Sequence, residues 1–180
     1  MKKFPDNFYF GAATSSHQVE GKCVNDWSEW EKNNAERLAE ESVKYSNLSS
    51  WRLIKYAAGS PENYISGIAA DHYSRFIEDF DIAKKIGINA YRFSIEWSRV
   101  EPEKGVWDMD QFNHYLKMVA ALRERKIEPF VTIWHWTLPL WLSEMGGISH
   151  PEFPELFAKF AAKIAKEFSG KVKFFITINE

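Results

Sequence analysis

The sequence lacks most of the features that would commit it to disulfide staples, a membrane or nucleic acid. Of its 180 residues one is a cysteine, Cys23, so no intramolecular disulfide forms and a reducing compartment is permitted. No sign of charge dominates: 23 Lys plus Arg stand against 25 Asp plus Glu, a net charge of −2, and no polyanion partner is implied. No stretch approaches the ~20 apolar residues of a spanning helix. The opening MKKFPDNFYFGAA has two lysines but not the apolar run of ~7 to 15 residues that a secretory signal needs, and the expected location is cytoplasmic.

Cofactor signals are missing as well. His17, His72, His114, His135 and His150 show no ligand spacing on one helix, and a single cysteine makes no thiolate site, so no metal is expected. The segment FGAATSS lacks the glycines and the lysine that would hold a pyrophosphate, which removes a nucleotide. What the chain does have is a globular composition, 45% hydrophobic and 27% charged, at a length that buries ~70% of the unfolded surface. A single domain, 1–180, is expected. Aromatic residues reach 16%, with 8 Trp and 14 Phe. Tryptophan fills cores, but its flat face also packs against the C–H groups of a pyranose while its N–H still donates.

Short apolar runs at 88–95, 128–134 and 172–178 read as buried strands, with an earlier strand at 7–13. Between them lie three amphipathic helices, at 72–86, 110–124 and 154–168. Asp71 and Asp110 are expected to cap the first two, and Pro154 suits the first turn of the third. Residues 21–70, with Trp27, Trp30 and Trp51, read as an elaborated loop that carries a surface helix over 33–45. Alternating helices and strands of this kind build an α/β fold with a parallel sheet.

Ligands of parallel α/β folds bind at the carboxyl ends of the strands. Those ends carry His17, Gln18 and Glu20 after the first strand, Arg92 and Glu96 within and after the second, His135 between Trp134 and Trp136 after the third, and Asn179 with Glu180 after the fourth. Each has an ordinary structural explanation: His135 as a core histidine, Arg92 as the ion-pair partner of Glu96, Gln18 as a turn cap. Together they place amide, imidazole, guanidinium, carboxylate and indole groups at one end of one sheet, which suits a polyhydroxylated ligand.

Four ordered segments, FGAATSSHQVEG, AYRFSIEWSRVEPEKGVWD, EPFVTIWHWTLPLW and FFITINE, resemble the strand-end motifs of glycoside hydrolase family 1. These are the retaining β-glucosidases and β-galactosidases on a (β/α)8 TIM barrel. The resemblance runs from about Phe4 to Glu180. It implies that Glu180 is the general acid/base, that Asn179 bonds the sugar 2-hydroxyl, and that Gln18 and His135 hold hydroxyls farther round the ring. It also implies that Trp136 lines the pocket and that Arg92 lies beside the nucleophile.

Such a barrel takes ~250 residues, and this sequence supplies about four of its eight units, a half barrel without the strand that carries the nucleophile. Glu20, Glu96 and Glu101 are given no attacking role by the resemblance. The expected partners are therefore a β-glycoside substrate and either a missing carboxy-terminal half or a second copy, because the open edges and inner face of a half barrel invite cover. The chain alone is expected to be inactive. A sugar-binding module without turnover and a purely structural half barrel remain open on the sequence.

Overall fold

The computed structural model describes residues 3–180. Its elements run in chain order as β1 (Gly11–Ala13), α1 (Ser16–Val19), α2 (Asp26–Glu41), α3 (Trp51–Ala58), α4 (His72–Lys85), β2 (Ala90–Ser94), α5 (Trp97–Val100), α6 (Met109–Glu124), β3 (Glu128–Trp134), α7 (Leu140–Glu144), α8 (Phe153–Glu167) and β4 (Phe174–Ile178). The four strands form one parallel sheet in the order β1-β2-β3-β4. Because each strand lies beside its neighbour in sequence, the sheet winds in one direction, as barrel sheets do, and has no point where the order reverses.

Three helices supply one cover of this sheet. The register pairs Phe93 with Val131 and Val131 with Phe175, so these side chains share a face. Phe80 of α4, Leu122 of α6 and Phe160 and Ile164 of α8 are fully buried in the same core cluster as Phe93 and Val131. Trp97, at the start of α5, stacks on Phe160 with centroids 4.1 Å apart and planes within 5°.

The opposite face is open. Arg92, Phe130 and Phe174 are in register across three strands, and Phe174 and Ile178 remain 36% and 41% exposed. Phe130 stacks on Phe174 at 4.5 Å, and Tyr9 meets both edge-on at 5.5 and 5.8 Å. These rings cover one another because no second layer covers them.

Local chemistry adjusts several expected boundaries. The first strand keeps only three residues. The surface helix starts at Asp26, well before residue 33, because Asn25 and Ser28 close a capping box. The cap of α6 is Asp108, whose Oδ1 accepts from the backbone N–H groups of Asp110 and Gln111, and not Asp110. Asp71 occupies the position before α4 in a left-handed conformation, φ 52°, and its side chain caps no backbone N–H; its Oδ1 instead accepts from Ser74 Oγ at 2.9 Å.

The two faces of the sheet should respond differently to truncation. Phe160→Ala should cost ~3–5 kcal/mol of unfolding free energy in urea titrations, as deleting a fully buried ring does. Phe174→Ala, on the open face, should cost less than half of that. Equal losses would show that the inner face is as well packed as the outer.

Candidate active site

The sheet ends are tied together by one buried carboxylate. Glu96 follows β2 and is fully buried. Its oxygens accept from Ser16 Oγ at 2.8 Å, Asn25 Nδ2 at 3.2 Å, Ser98 Oγ at 2.9 Å and Thr137 Oγ1 at 3.1 Å. Ser16 and Asn25 come after β1 and Thr137 after β3, so a single side chain sets the spacing of three strand ends. Burying a carboxylate is costly unless its lone pairs are filled; here four donors fill them.

Asn25 carries the network outward. Its Oδ1 accepts from the Ser28 N–H, which fixes the amide orientation, so Nδ2 donates both to Glu96 and to His17 Nδ1, the latter at 3.2 Å. With Nδ1 accepting, the His17 proton sits on Nε2 and is donated to Glu31 Oε1 at 3.0 Å. A second buried acid lies below. Glu20 pairs with Arg99 at 2.8 Å and accepts from Tyr115 OH at 2.9 Å, while Tyr115 OH itself accepts from the Glu96 N–H. Burial pushes the Glu20 carboxyl up to about 7; Arg99 pulls the other way and the neighbouring Glu96 adds to the rise.

On this frame Gln18, His135 and Trp136 line one cleft of about 80 Å³, together with His17 and Trp27. The backbone of Trp136 is left-handed, φ 76°, a conformation that an aromatic residue adopts only where its surroundings hold it. The Trp134 indole, 5.4 Å from that of Trp136, donates to Thr137 O. His135 Nδ1 is buried and has no partner among the described residues. Burial and the nearby Arg92 charge lower the pKa of His135, partly offset by Glu180, so at neutral pH the ring is neutral.

Arg92 does not pair with Glu96. Its Nη1 donates to Asn179 Oδ1 at 2.8 Å, because the two side chains lie on the open face while Glu96 is held by the segments after β1 and β3. With Oδ1 occupied by a donor-only guanidinium, Asn179 presents Nδ2. Its backbone N–H also bonds Trp134 O at 3.1 Å, which sets β4 against β3. Glu180 follows directly and is exposed; neither it nor Asn179 lines the cleft. Gln18 is exposed and its side chain caps no turn among the described residues.

His17, which the sequence places at the end of the first strand, does line the cleft; Asn25 and Trp27 are the parts of this site that sequence reasoning did not single out as ligand-facing. Only the Asn25–Ser28 capping pair left a local trace.

The fold and the strand-end cluster define an α/β half of a parallel barrel with its polar groups at the carboxyl ends. Residues 1–180 match glycosyl hydrolase family 1 over their whole length, and the chain belongs to that family. It is 36% identical to a 1,4-beta-D-glucan glucohydrolase of Thermotoga neapolitana, aligned over 100% of this chain and 39% of the relative. It is equally similar to beta-glucosidase A of Thermotoga maritima, of which it covers 37%. Among solved structures, a beta-glycosidase from Pyrococcus horikoshii superposes with a TM-score of 0.77 at 36% identity, over 99% of this chain and 36% of that one. An aphid myrosinase gives 0.79 at 29% identity, over 99% and 36%. The chain thus spans well under half the length of the relatives it matches, and its sheet is half of the (β/α)8 barrel.

Glu20 gives the site a pH signature. A carboxyl raised from 4.5 to about 7 in the folded state contributes stability that is complete below pH 4.5 and lost as pH rises through 7. The urea stability of the native chain relative to Glu20→Gln should therefore fall between pH 5 and 7, by up to ~1.4 kcal/mol per pH unit, and then level off. A difference that is flat or grows with pH would place the Glu20 proton elsewhere.

Proposed function

We propose that this chain is the amino-terminal half of a retaining β-glycosidase that hydrolyses terminal β-linked glucosyl or galactosyl units. The carrying observation is that Gln18 and His135, from different strand ends, line one cleft with Trp136. The names of the Thermotoga relatives support a β-glucosidic bond as the one cleaved.

In this reading Glu180 protonates the glycosidic oxygen as the bond breaks, and later takes a proton from the water that releases the sugar. Asn179 Nδ2, left free by the Arg92 bond to Oδ1, donates to the 2-hydroxyl, a contact that strengthens as positive charge grows on the ring. Gln18 and His135 bind the hydroxyls farther round, and Trp136 packs against the ring C–H groups.

Retention needs a second carboxylate ~5–5.5 Å from the acid. Three further glutamates stand near the strand ends, and each is committed. Glu96 holds its four donors, Glu20 pairs with Arg99, and Glu101 accepts from Trp97 Nε1 at 2.7 Å and from the Gly105 N–H. We assign the nucleophile to the other half of the barrel, which seats on the open face around Tyr9, Phe130 and Phe174. The 180 residues alone then bind sugar without turning it over.

The test is release of nitrophenol from 4-nitrophenyl β-glucoside. The chain alone should give none. Mixed with the second half of a family 1 barrel it should turn over, and Glu180→Gln in that assembly should slow cellobiose hydrolysis by ~10²–10⁴-fold while sparing dinitrophenyl glucosides, whose leaving group needs no proton. Turnover by the chain alone, or an assembly indifferent to Glu180→Gln, would contradict the assignment. An assembly that binds glucose but never cleaves it would favour a sugar-binding module.

A further inference from the structure

The most exposed apolar side chains of the described residues sit on one short helix. Leu53 and Tyr56 of α3 are 82% and 81% exposed, more than any other large hydrophobic residue there. Three residues apart, they share one face of the helix. The residues just before α3 add Val43, Tyr45 and Leu48, which also stand in water. No residue of α3 is buried, so the helix adds little to the core. Single exposed apolar side chains are common, whereas a run of them marks a contact surface.

Charge in the same stretch is one-sided. Residues 42–61 hold Lys44, Arg52 and Lys55 and no Asp or Glu, in a chain that has 25 acidic residues. Arg52 and Lys55 are likewise three apart and form a second stripe beside that of Leu53 and Tyr56. Lys55 Nζ lies 4.8 Å from the centroid of the Tyr56 ring, and Lys44 Nζ 5.3 Å from that of Tyr45, so ammonium groups stand over the exposed rings. Lys44 also meets Glu41 at 3.1 Å; Arg52 and Lys55 have no acidic partner among the described residues.

This surface is carried on a firm mount. The N–H groups of Ser46, Leu48 and Trp51 donate to Val43 O, Tyr45 O and Leu48 O at 2.9, 3.0 and 2.9 Å, which closes three successive turns ahead of the helix. At its far end Asn63 Nδ2 donates to Ala57 O at 2.9 Å and Tyr64 OH to Ala58 O at 2.8 Å, filling carbonyls that a helix terminus leaves open. Residues 61–64 pack in turn on α2. The helix is thus tied to the domain at its ends while the Leu53–Tyr56 face looks outward.

We propose that this face of α3 docks on an anionic membrane surface, lying on it; no helix among the described residues is long and apolar enough to cross one. Whatever covers the face must offer apolar depth to Leu53 and Tyr56 and negative charge to a stripe of cations with no acid among them. A leaflet with anionic headgroups offers both at once: the Lys and Arg stems reach the phosphates while Leu53 sinks between the chains. Tyr45 and Tyr56 suit the headgroup level. A protein partner would meet lysines where interface cores exclude them. None of these residues lines the Gln18 cleft, so the proposal stands apart from the sugar reading.

Co-sedimentation of the 180-residue chain with lipid vesicles tests it. Vesicles of equal parts phosphatidylserine and phosphatidylcholine should bind about thirtyfold more tightly than phosphatidylcholine alone, the scale of two cations at an anionic surface, and ~1 M salt should erase that preference. Arg52→Glu with Lys55→Glu should erase it too. Leu53→Ser with Tyr56→Ser, at positions whose side chains lie in water, should weaken binding about tenfold or more, whereas Ile86→Ser, at a residue 70% exposed at the end of α4, should change nothing. Equal binding to both kinds of vesicle, or full binding by the Leu53→Ser, Tyr56→Ser variant, would overturn the proposal. So would a lipid-free dimer that this variant dissolves together with an absence of vesicle binding, which would give the face to a second copy of the chain.

Discussion

The architecture of the strand ends depends on a single constraint: the Glu96 carboxylate must be fully solvated by protein. In water it would be surrounded by mobile donors. Here those donors are Ser16, Asn25, Ser98 and Thr137, drawn from the segments after three strands. Removing any one leaves an unpaired lone pair on a buried charge, which costs more than the bond itself contributes. The segments that carry Gln18, His135 and Trp136 are therefore placed by a polar tie beneath them and not by contacts among themselves, which leaves their own polar atoms free. The fourth strand joins by a separate bond, Arg92 to Asn179.

Stability and chemistry occupy different parts of the sheet. The helix-facing side buries Phe93, Val131 and the rings of α4, α6 and α8, and supplies most of the driving force for folding. The other side shows the stacked Phe130 and Phe174 and an exposed Ile178. In a closed barrel such residues fill the interior in layers. The open face of the half barrel thus carries an aromatic surface already arranged in register.

How much of this could be read in the sequence varies with the range of the interactions involved. The α4, α6 and α8 helices followed from apolar spacing alone, and β3 matched its apolar run from Glu128 to Trp134, because local patterning and burial agree there. The start of α2 did not follow: its tryptophans are exposed and its buried side is made of Ser28, Ala35 and Ala39, so hydrophobic spacing points the wrong way. Arg92 and Glu96 sit four apart, and proximity in sequence suggested a pair. In the folded chain Arg92 instead meets a residue 87 positions away and Glu96 meets residues 41, 71 and 80 away. No local signal encodes such partners. The polar residues at the strand ends were visible because strand alternation places them there; the network that positions them was not.

The claim that one carboxylate sets three strand ends is tested most directly by amide hydrogen exchange on Glu96→Ala. The account predicts faster exchange at once in the amides of Ser16, Ser28 and Leu138, with the amides of α8 unchanged. Faster exchange confined to the segment after β2, with the other two segments still protected, would contradict it.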